Sequence, residues 1–168
     1  MLQTERLTLR QPRASDLKHW QPFFVSDRAV FIGGGPEQDE GRGWRAFATK
    51  IGHWELNGCG PFVMELRDTG QPIGSAGPWY PAGWPEKELS WSVWSPAHEG
   101  AGYAVEAVRR VRAHVFDDLG WTTAVSYVAP ENKRSMALAE RLGCARDMDA
   151  AVPDDWTTFV YRHSNEAG

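Results

Sequence analysis

Residues 87–128 place an alternating strand, a loop broken by two glycines, a long amphipathic helix and a β-branched apolar strand in immediate succession. In 87–94 (KELSWSVW) polar and apolar residues alternate with the period of a half-buried strand. From about residue 102 to 119 the spacing predicts a helix, and Gly120 is its natural stop. Residues 122–128 are β-branched and apolar, and Pro130 blocks their continuation. Two strands and a helix in so short a span need a common sheet with a helix packed on it, which narrows the chain to the α/β or α+β class.

The flanking segments add to the same sheet. Residues 5–10 alternate as a strand, and 16–26 read as a helix with Leu17, Trp20, Phe24 and Val25 inward. Residues 31–43 carry every turn signal and read as a mobile substrate-side loop. Gly33, Gly34 and Gly35 are followed by Pro36 and acids, not by the Lys-Ser or Lys-Thr of a phosphate-cradling P-loop. Residues 44–56 read as a helix with Trp44, Phe47, Ile51 and Trp54 on one side. Then come a strand at 61–66, a turn at 68–70 and a partner strand at 71–79. A helix at 132–142 ends at Gly143, and a last strand spans 156–162. The expected product is a mixed sheet with helices packed on it, and residues 1–168 form one domain.

Composition excludes several classes of function. A net charge of −4 argues against a polyanion binder, so no nucleic-acid partner is expected. No apolar run approaches the roughly 18 residues that span a bilayer, and the charged, alternating N-terminus is no secretory signal. Cys59 and Cys144 lack metal-ligand spacing and the five histidines are scattered, so no metal site and a reducing cytoplasm are expected. Nine tryptophans are unusual, and Trp54, Trp79, Trp84, Trp91 and Trp94 crowd the middle of the chain. They fit either core packing or an aromatic-lined pocket.

The glycine loop is the motif with chemical content. A helix N-terminus presents unpaired N–H groups and the positive end of a dipole, and glycines let an anion approach them. A tight strand-to-helix connection would use the same glycines. A dinucleotide fingerprint fails, because its third glycine falls at Val105 and no suitable acid follows the next strand.

The run Glu99-Gly100-Ala101-Gly102-Tyr103-Ala104 resembles the acyl-CoA diphosphate loop of the GNAT N-acetyltransferases, usually Q/R-x-x-G-x-G/A, with Glu99 standing where Gln or Arg is usual. The opening 4–10 (TERLTLR) with Asp16-Leu17, Gly-His-Trp at 52–54, Pro-Ile-Gly at 72–74, GYAVEA at 102–107, and PENKRS at 130–135 leading to Arg-Leu-Gly at 141–143 are similar to the ribosomal-protein (Rim-type) branch. The resemblance runs in order from residue 4 to about 146. It implies a mostly antiparallel mixed sheet of six to seven strands flanked by about four helices, with the strands at 87–94 and 122–128 parallel and splayed.

It further implies acetyl-CoA as co-substrate, a primary amine as acceptor, direct transfer in a ternary complex, no metal, no membrane, and a monomer or homodimer. The acceptor is a protein α-amine or a small molecule such as a polyamine or aminoglycoside, and Glu37, Asp39 and Glu40 are candidates for attracting it. The backbone of Ser92, Val93 and Trp94 is expected along the pantetheine arm, with one amide toward the thioester oxygen. Glu99, Gly100, Ala101, Gly102, Tyr103 and Ala104 are expected at the diphosphate, and Asn132 at the arm or as a helix N-cap. Glu88 shares a strand face with Ser90, Ser92 and Trp94 and is the expected proton acceptor, with a structural ion pair as its alternative and Asp154 and Asp155 as rivals. Ser135 is expected to solvate the departing thiolate, since the tyrosine many members carry for this falls at Ala139. His98 lies at the diphosphate end, Cys144 is a small buried residue, and Arg109, Arg110 and Arg112 form a solvated face, with contact of one of them to the CoA 3′-phosphate as the alternative.

Overall fold

The computed structural model describes residues 1–153 and 156–165. Its strands are β1 (Leu2–Gln3), β2 (Leu7–Arg10), β3 (Phe62–Leu66), β4 (Pro72–Trp79), β5 (Glu88–Val93), β6 (Ala124–Val128), β7 (Ala145–Asp147) and β8 (Phe159–His163). They form one sheet in the order β1-β2-β3-β4-β5-β6-β8-β7, in which β5 and β6 are the parallel pair and every other pairing is antiparallel. Eight strands replace the expected six to seven. The additions are short edges, β1 and β7, too brief to show alternation.

The parallel pair is joined at one register point, Glu88 opposite Val125. The Val125 N–H donates to the Lys87 carbonyl at 3.0 Å. One step on, the Ser126 hydroxyl donates to the Leu89 carbonyl at 2.6 Å, a side chain doing what a strand amide would otherwise do. That hydroxyl also meets His163 Nε2 at 2.8 Å, and His163 Nδ1 lies 3.2 Å from the Cys144 sulfur. Because Ser126 spends its proton on Leu89, it accepts from His163 Nε2–H, and Nδ1 then accepts from the thiol. The chain of hydrogen bonds sits at the root of a fork between β5 and β6.

Helices cover both faces. On one, α1 (Leu17–Phe24) and α2 (Glu40–Asn57) bury Trp20, Phe23, Phe24 and Phe47 against Val63 and Trp94. On the other, α3 (Tyr103–Ala113) packs Ala107, Val108 and Val111 onto Leu7, Leu9, Met64, Ile73 and Leu89. It runs on as a π-helical turn at His114–Asp118, and Gly120 (φ +65°) stops it. The fourth helix, α4 (Lys133–Arg141), follows β6.

Three expectations change here. Residues 40–43 are helical, not loop: Asp39 caps α2 by accepting from the Arg42 amide at 2.6 Å, and Gly41 and Gly43 disguised the start. A Cβ at Gly43 would meet the movable end of the Gln21 side chain at 2.7 Å, and Trp20 Nε1 donates to the Gly43 carbonyl at 2.9 Å. Trp44 and Ile51 point outward, because the inner stripe of α2 runs through Gly43, Phe47, Lys50 and His53, two of them polar. Arg112 is buried and donates to the Leu142 carbonyl at 2.6 Å, capping α4 rather than facing solvent.

Arg10 ties β2 to α1 and β3. It donates to both oxygens of buried Asp16 at 2.8 Å and to Glu65 at 2.5 Å, and the Arg13 amide adds a bond to Asp16 at 2.7 Å. Burial opposes the Asp16 charge, but hydrogen bonds from Arg10 and Arg13 outweigh it and hold the carboxyl below its usual range.

Candidate active site

Beyond the Ser126 bridge the strands of the fork enclose two adjoining cavities. The smaller, about 340 Å³, lies on the α1/α2 side and is walled by Trp20, Trp79, Trp84, Trp91, Tyr127 and Trp156. The larger, about 880 Å³, lies between the end of β5, the glycine loop and the start of α4. Trp91, Ser92, Asn132 and Ser135 line both. Of the crowded tryptophans, Trp79, Trp84 and Trp91 therefore face a pocket, whereas Trp54 and Trp94 pack in the cores.

Glu88 stands in the smaller cavity at the one paired position of the fork. Burial pushes its carboxyl up to about 7, opposed by hydrogen bonds from Trp84 Nε1 (2.8 Å) and the Tyr127 amide and by the field of Lys50. A carboxylate held there changes protonation near neutrality, as a general base requires. Asp154 and Asp155, its rivals, lie outside the described residues.

Lys50 was not anticipated. It projects from α2 into the same cavity, its ammonium 5.0 Å from the Trp20 ring and 5.6 Å from the Trp79 ring. Burial lowers its pKa to about 8, against the opposing pull of Glu88. Trp79 also stacks on His53 at 5.2 Å. His53 is fixed by Cys59 carbonyl at Nδ1 (2.6 Å) and by the Tyr80 amide at Nε2 (2.8 Å), so this wall is braced.

The glycine loop borders the larger cavity through Glu99, Gly100, Gly102, Tyr103 and Ala104. Gly100 (φ +74°) and Gly102 (φ +83°) take left-handed conformations that a side chain resists, and they aim the loop into α3. Arg6 holds the loop from behind: it donates to the Ala101 carbonyl at 3.0 Å, pairs with Glu106 at 2.6 Å and stacks on Tyr103. Ala101 lies behind the loop and does not line the cavity.

Glu99 faces neither freely inward nor outward. It accepts from Arg134 at 2.6 Å and from Arg28 through Nε at 3.0 Å and again through Nη2. Arg28 also donates to the carbonyls of Val93 at 2.7 Å and Trp94 at 2.8 Å. Trp94 is thereby displaced from the expected pantetheine set: its amide is spent on Ile73 (2.8 Å), its carbonyl on Arg28, and its ring is buried under α1. Arg28 itself carried no sequence signal.

At the start of α4, Asn132 caps the helix by accepting from the Ser135 amide at 3.1 Å, leaving its NH₂ for the cavity. The Ser135 hydroxyl accepts from Trp91 Nε1 at 3.1 Å and keeps its own proton to donate. Ala139 is fully buried in the core. His98 borders the larger cavity with its Nδ1 unpartnered among the described residues. Neither cavity is lined by Glu37, Asp39 or Glu40.

A sheet forked at its one parallel pair, with a glycine-led helix on one side of the mouth and a buried carboxylate on the other, defines an acyltransferase class, and sequence comparison agrees. The chain belongs to the acetyltransferase (GNAT) domain family, whose model matches residues 6–145. It is an acetyl-CoA-dependent N-acetyltransferase. An acetyltransferase from Agrobacterium tumefaciens str. C58 is similar, with 38% identity over 97% of this chain and 93% of that one, and a TM-score of 0.89. A Bordetella pertussis protein assigned to the GnaT acetyltransferases shares 28% identity over 97% and 98% of the two chains, with a TM-score of 0.78. AAC(6′)-Ib in complex with ribostamycin and coenzyme A shares the fold at 19% identity over 97% and 96%, with a TM-score of 0.77.

Proposed function

We propose that the larger cavity holds acetyl-CoA, the smaller cavity holds the acceptor amine, and transfer takes place where they meet, at Trp91, Ser92, Asn132 and Ser135. The fork carries this reading, because it leaves one edge of β5 without a strand partner beyond Glu88. The residues present fit the co-substrate: Gly100 and Gly102 keep the approach to the α3 N-terminus free of Cβ atoms, and the open β5 edge suits a peptide-like arm. When bound, acetyl-CoA supplies an acyl group activated as a thioester.

The chain's own residues then divide the work. Backbone groups of Trp91 and the Val93 amide, on the open edge of β5, orient the arm, with Asn132 on the opposite wall. Amides of Gly100 and of Gly102 to Ala104 bind the diphosphate, and Glu99 steadies Arg28 and Arg134 beside it. Glu88 takes the proton that the amine gives up, directly or through water. Ser135 donates its hydroxyl proton as a hydrogen bond toward the departing sulfur. An aliphatic hydroxyl is too weak an acid to part with that proton, so it solvates charge rather than neutralising it. On the motifs from residue 4 to 146, we place the chain near the Rim-type branch, acting as one domain in the cytoplasm, as a monomer or homodimer.

A thiol-release assay over peptides with free N-termini, polyamines, aminoglycosides and small amines tests the activity. Acetyl-dependent release with at least one amine is expected. Calorimetry showing acetyl-CoA binding, with no release from any amine, would instead describe a non-catalytic acyl-CoA sensor.

A further inference from the structure

Lys50 and Glu88 are the only charged residues among the described lining of the smaller cavity. Glu88 has its own partners in Trp84 and the Tyr127 amide. Lys50 has none of that kind. Among the described residues no carboxylate stands within ion-pairing distance of its ammonium, which rests only against the faces of Trp20 and Trp79. A half-buried cation held against indoles, with no ion pair among the described residues and Glu88 acting on it only through its field, leaves its N–H donors for whatever enters the cavity.

An acceptor with several ammonium groups suits this cavity badly. Among the described residues one carboxylate answers one amine, and a second ammonium would meet Lys50. The acidic residues Glu37, Asp39 and Glu40, which would have drawn a polycation, sit away from both cavities. Among the described residues, eight aromatic rings share the remaining walls with five serines, Thr49 and Asn132, and Trp84 stands edge-on to both Tyr127 (6.3 Å) and Trp156 (5.2 Å). The rings suit an apolar or aromatic body.

We propose that the acceptor is a small amino acid-type molecule: a primary amine directed to Glu88, a carboxylate directed to Lys50, and an aromatic or apolar side chain between the indoles. This rests on the assignment of the smaller cavity to the acceptor. In the transfer, the amine nitrogen forms the amide bond to the acetyl carbon as the carbon–sulfur bond breaks. The amine proton passes to Glu88, and the electron pair leaves with the sulfur. Lys50 takes no part in these bonds and acts by positioning the acceptor.

Matched pairs differing only in the anion test the proposal: L-tryptophan against tryptophanamide and tryptamine, and L-phenylalanine against phenylalaninamide and phenethylamine. Spermidine, ribostamycin and a peptide with a free N-terminus complete the panel. Thiol release gives kcat and KM, and quenching of indole fluorescence with CoA-loaded protein gives acceptor binding without turnover. The expected result is about a tenfold preference for the carboxylate in binding and in kcat/KM, the worth of one charge-assisted hydrogen bond. In K50M and K50Q that preference falls to within about twofold, chiefly through KM, while acetyl-CoA binding is unchanged. Equal or tighter binding of the amides and amines, a preference that survives both variants, or spermidine or ribostamycin as the best acceptor each overturns it. Thiol release with amines but no preference for the anion overturns this inference alone, whereas release with no amine at all overturns the enzymatic reading on which it rests.

Discussion

Two places in this molecule take charge out of water, and they do it in opposite ways. At Arg10, Asp16 and Glu65 each charge has partners within 2.8 Å, and the Asp16 carboxyl is held more acidic than usual. In the smaller cavity, Lys50 and Glu88 share a space without forming a bridge, and burial drives them toward neutrality, to about 8 and about 7. Each cluster holds a buried carboxylate, Asp16 in one and Glu88 in the other, so burial alone does not mark a functional charge. What separates them is whether the lone pairs and protons are already spent. The first cluster is closed and holds β2, α1 and β3 together; the second is left open to a visitor.

The largest expected effect breaks the closed cluster. Asp16→Ala leaves the buried Arg10 with Glu65 as its one carboxylate and removes about 3 kcal/mol of stability, read by denaturant unfolding, with activity per folded molecule kept. Acid does the same to the unaltered chain: the Asp16 pKa is depressed, so its stabilisation holds above the usual carboxylate range and is lost as pH falls through the folded value. Glu88→Gln attacks the open cluster and reverses the pattern, lowering kcat about a hundredfold with unfolding midpoint and acetyl-CoA affinity nearly unchanged. Wild-type turnover at every pH in that variant would remove Glu88 from its role.

A smaller effect sharpens the contrast by titration. Glu88 accepts a proton only when ionised, so kcat rises with pH through about 7, and that limb is absent from the Glu88→Gln profile. The smallest concerns Glu99, an intermediate case whose partners Arg28 and Arg134 border a cavity. Glu99→Gln removes the anion that neutralises Arg28 and Arg134 beside the proposed diphosphate site and tightens acetyl-CoA by about threefold in calorimetry, less at high salt. Weaker binding would mean that Glu99 matters more as the brace for Arg28 than as a competing anion.

Local pattern made part of this legible beforehand. Alternation placed β5, β-branching placed β6, and Gly120 and Gly143 sit where helices end, because those signals come from neighbours in the chain. Glu88 was readable for the same reason, being an acid at a fixed phase of a strand. Lys50 and Arg28 were not. A lysine two residues after an alanine on a charged helix looks like any solvated cation, and only the approach of β4 and α1 turns it toward indoles. The inner stripe of α2 was misread because His53 and Lys50 lie on it, and a count of apolar residues passes over both. The pattern allows one or two strands after the last helix, and β7 could not be placed because three residues cannot show a period.

The hydrogen-bond chain at the root of the fork has a consequence for redox and acid chemistry alike. Burial lowers His163 to about 3 and raises Cys144 to about 11, so between those limits no proton enters or leaves it. The thiol stays a thiol: lacking thiolate character, Cys144 is a poor target for peroxide or alkylating reagents. The groups that bridge β5 and β6 at the root of the fork are therefore insensitive to ordinary changes in the medium. The mouth works as a fixed jig, and only the charges standing inside it answer to pH.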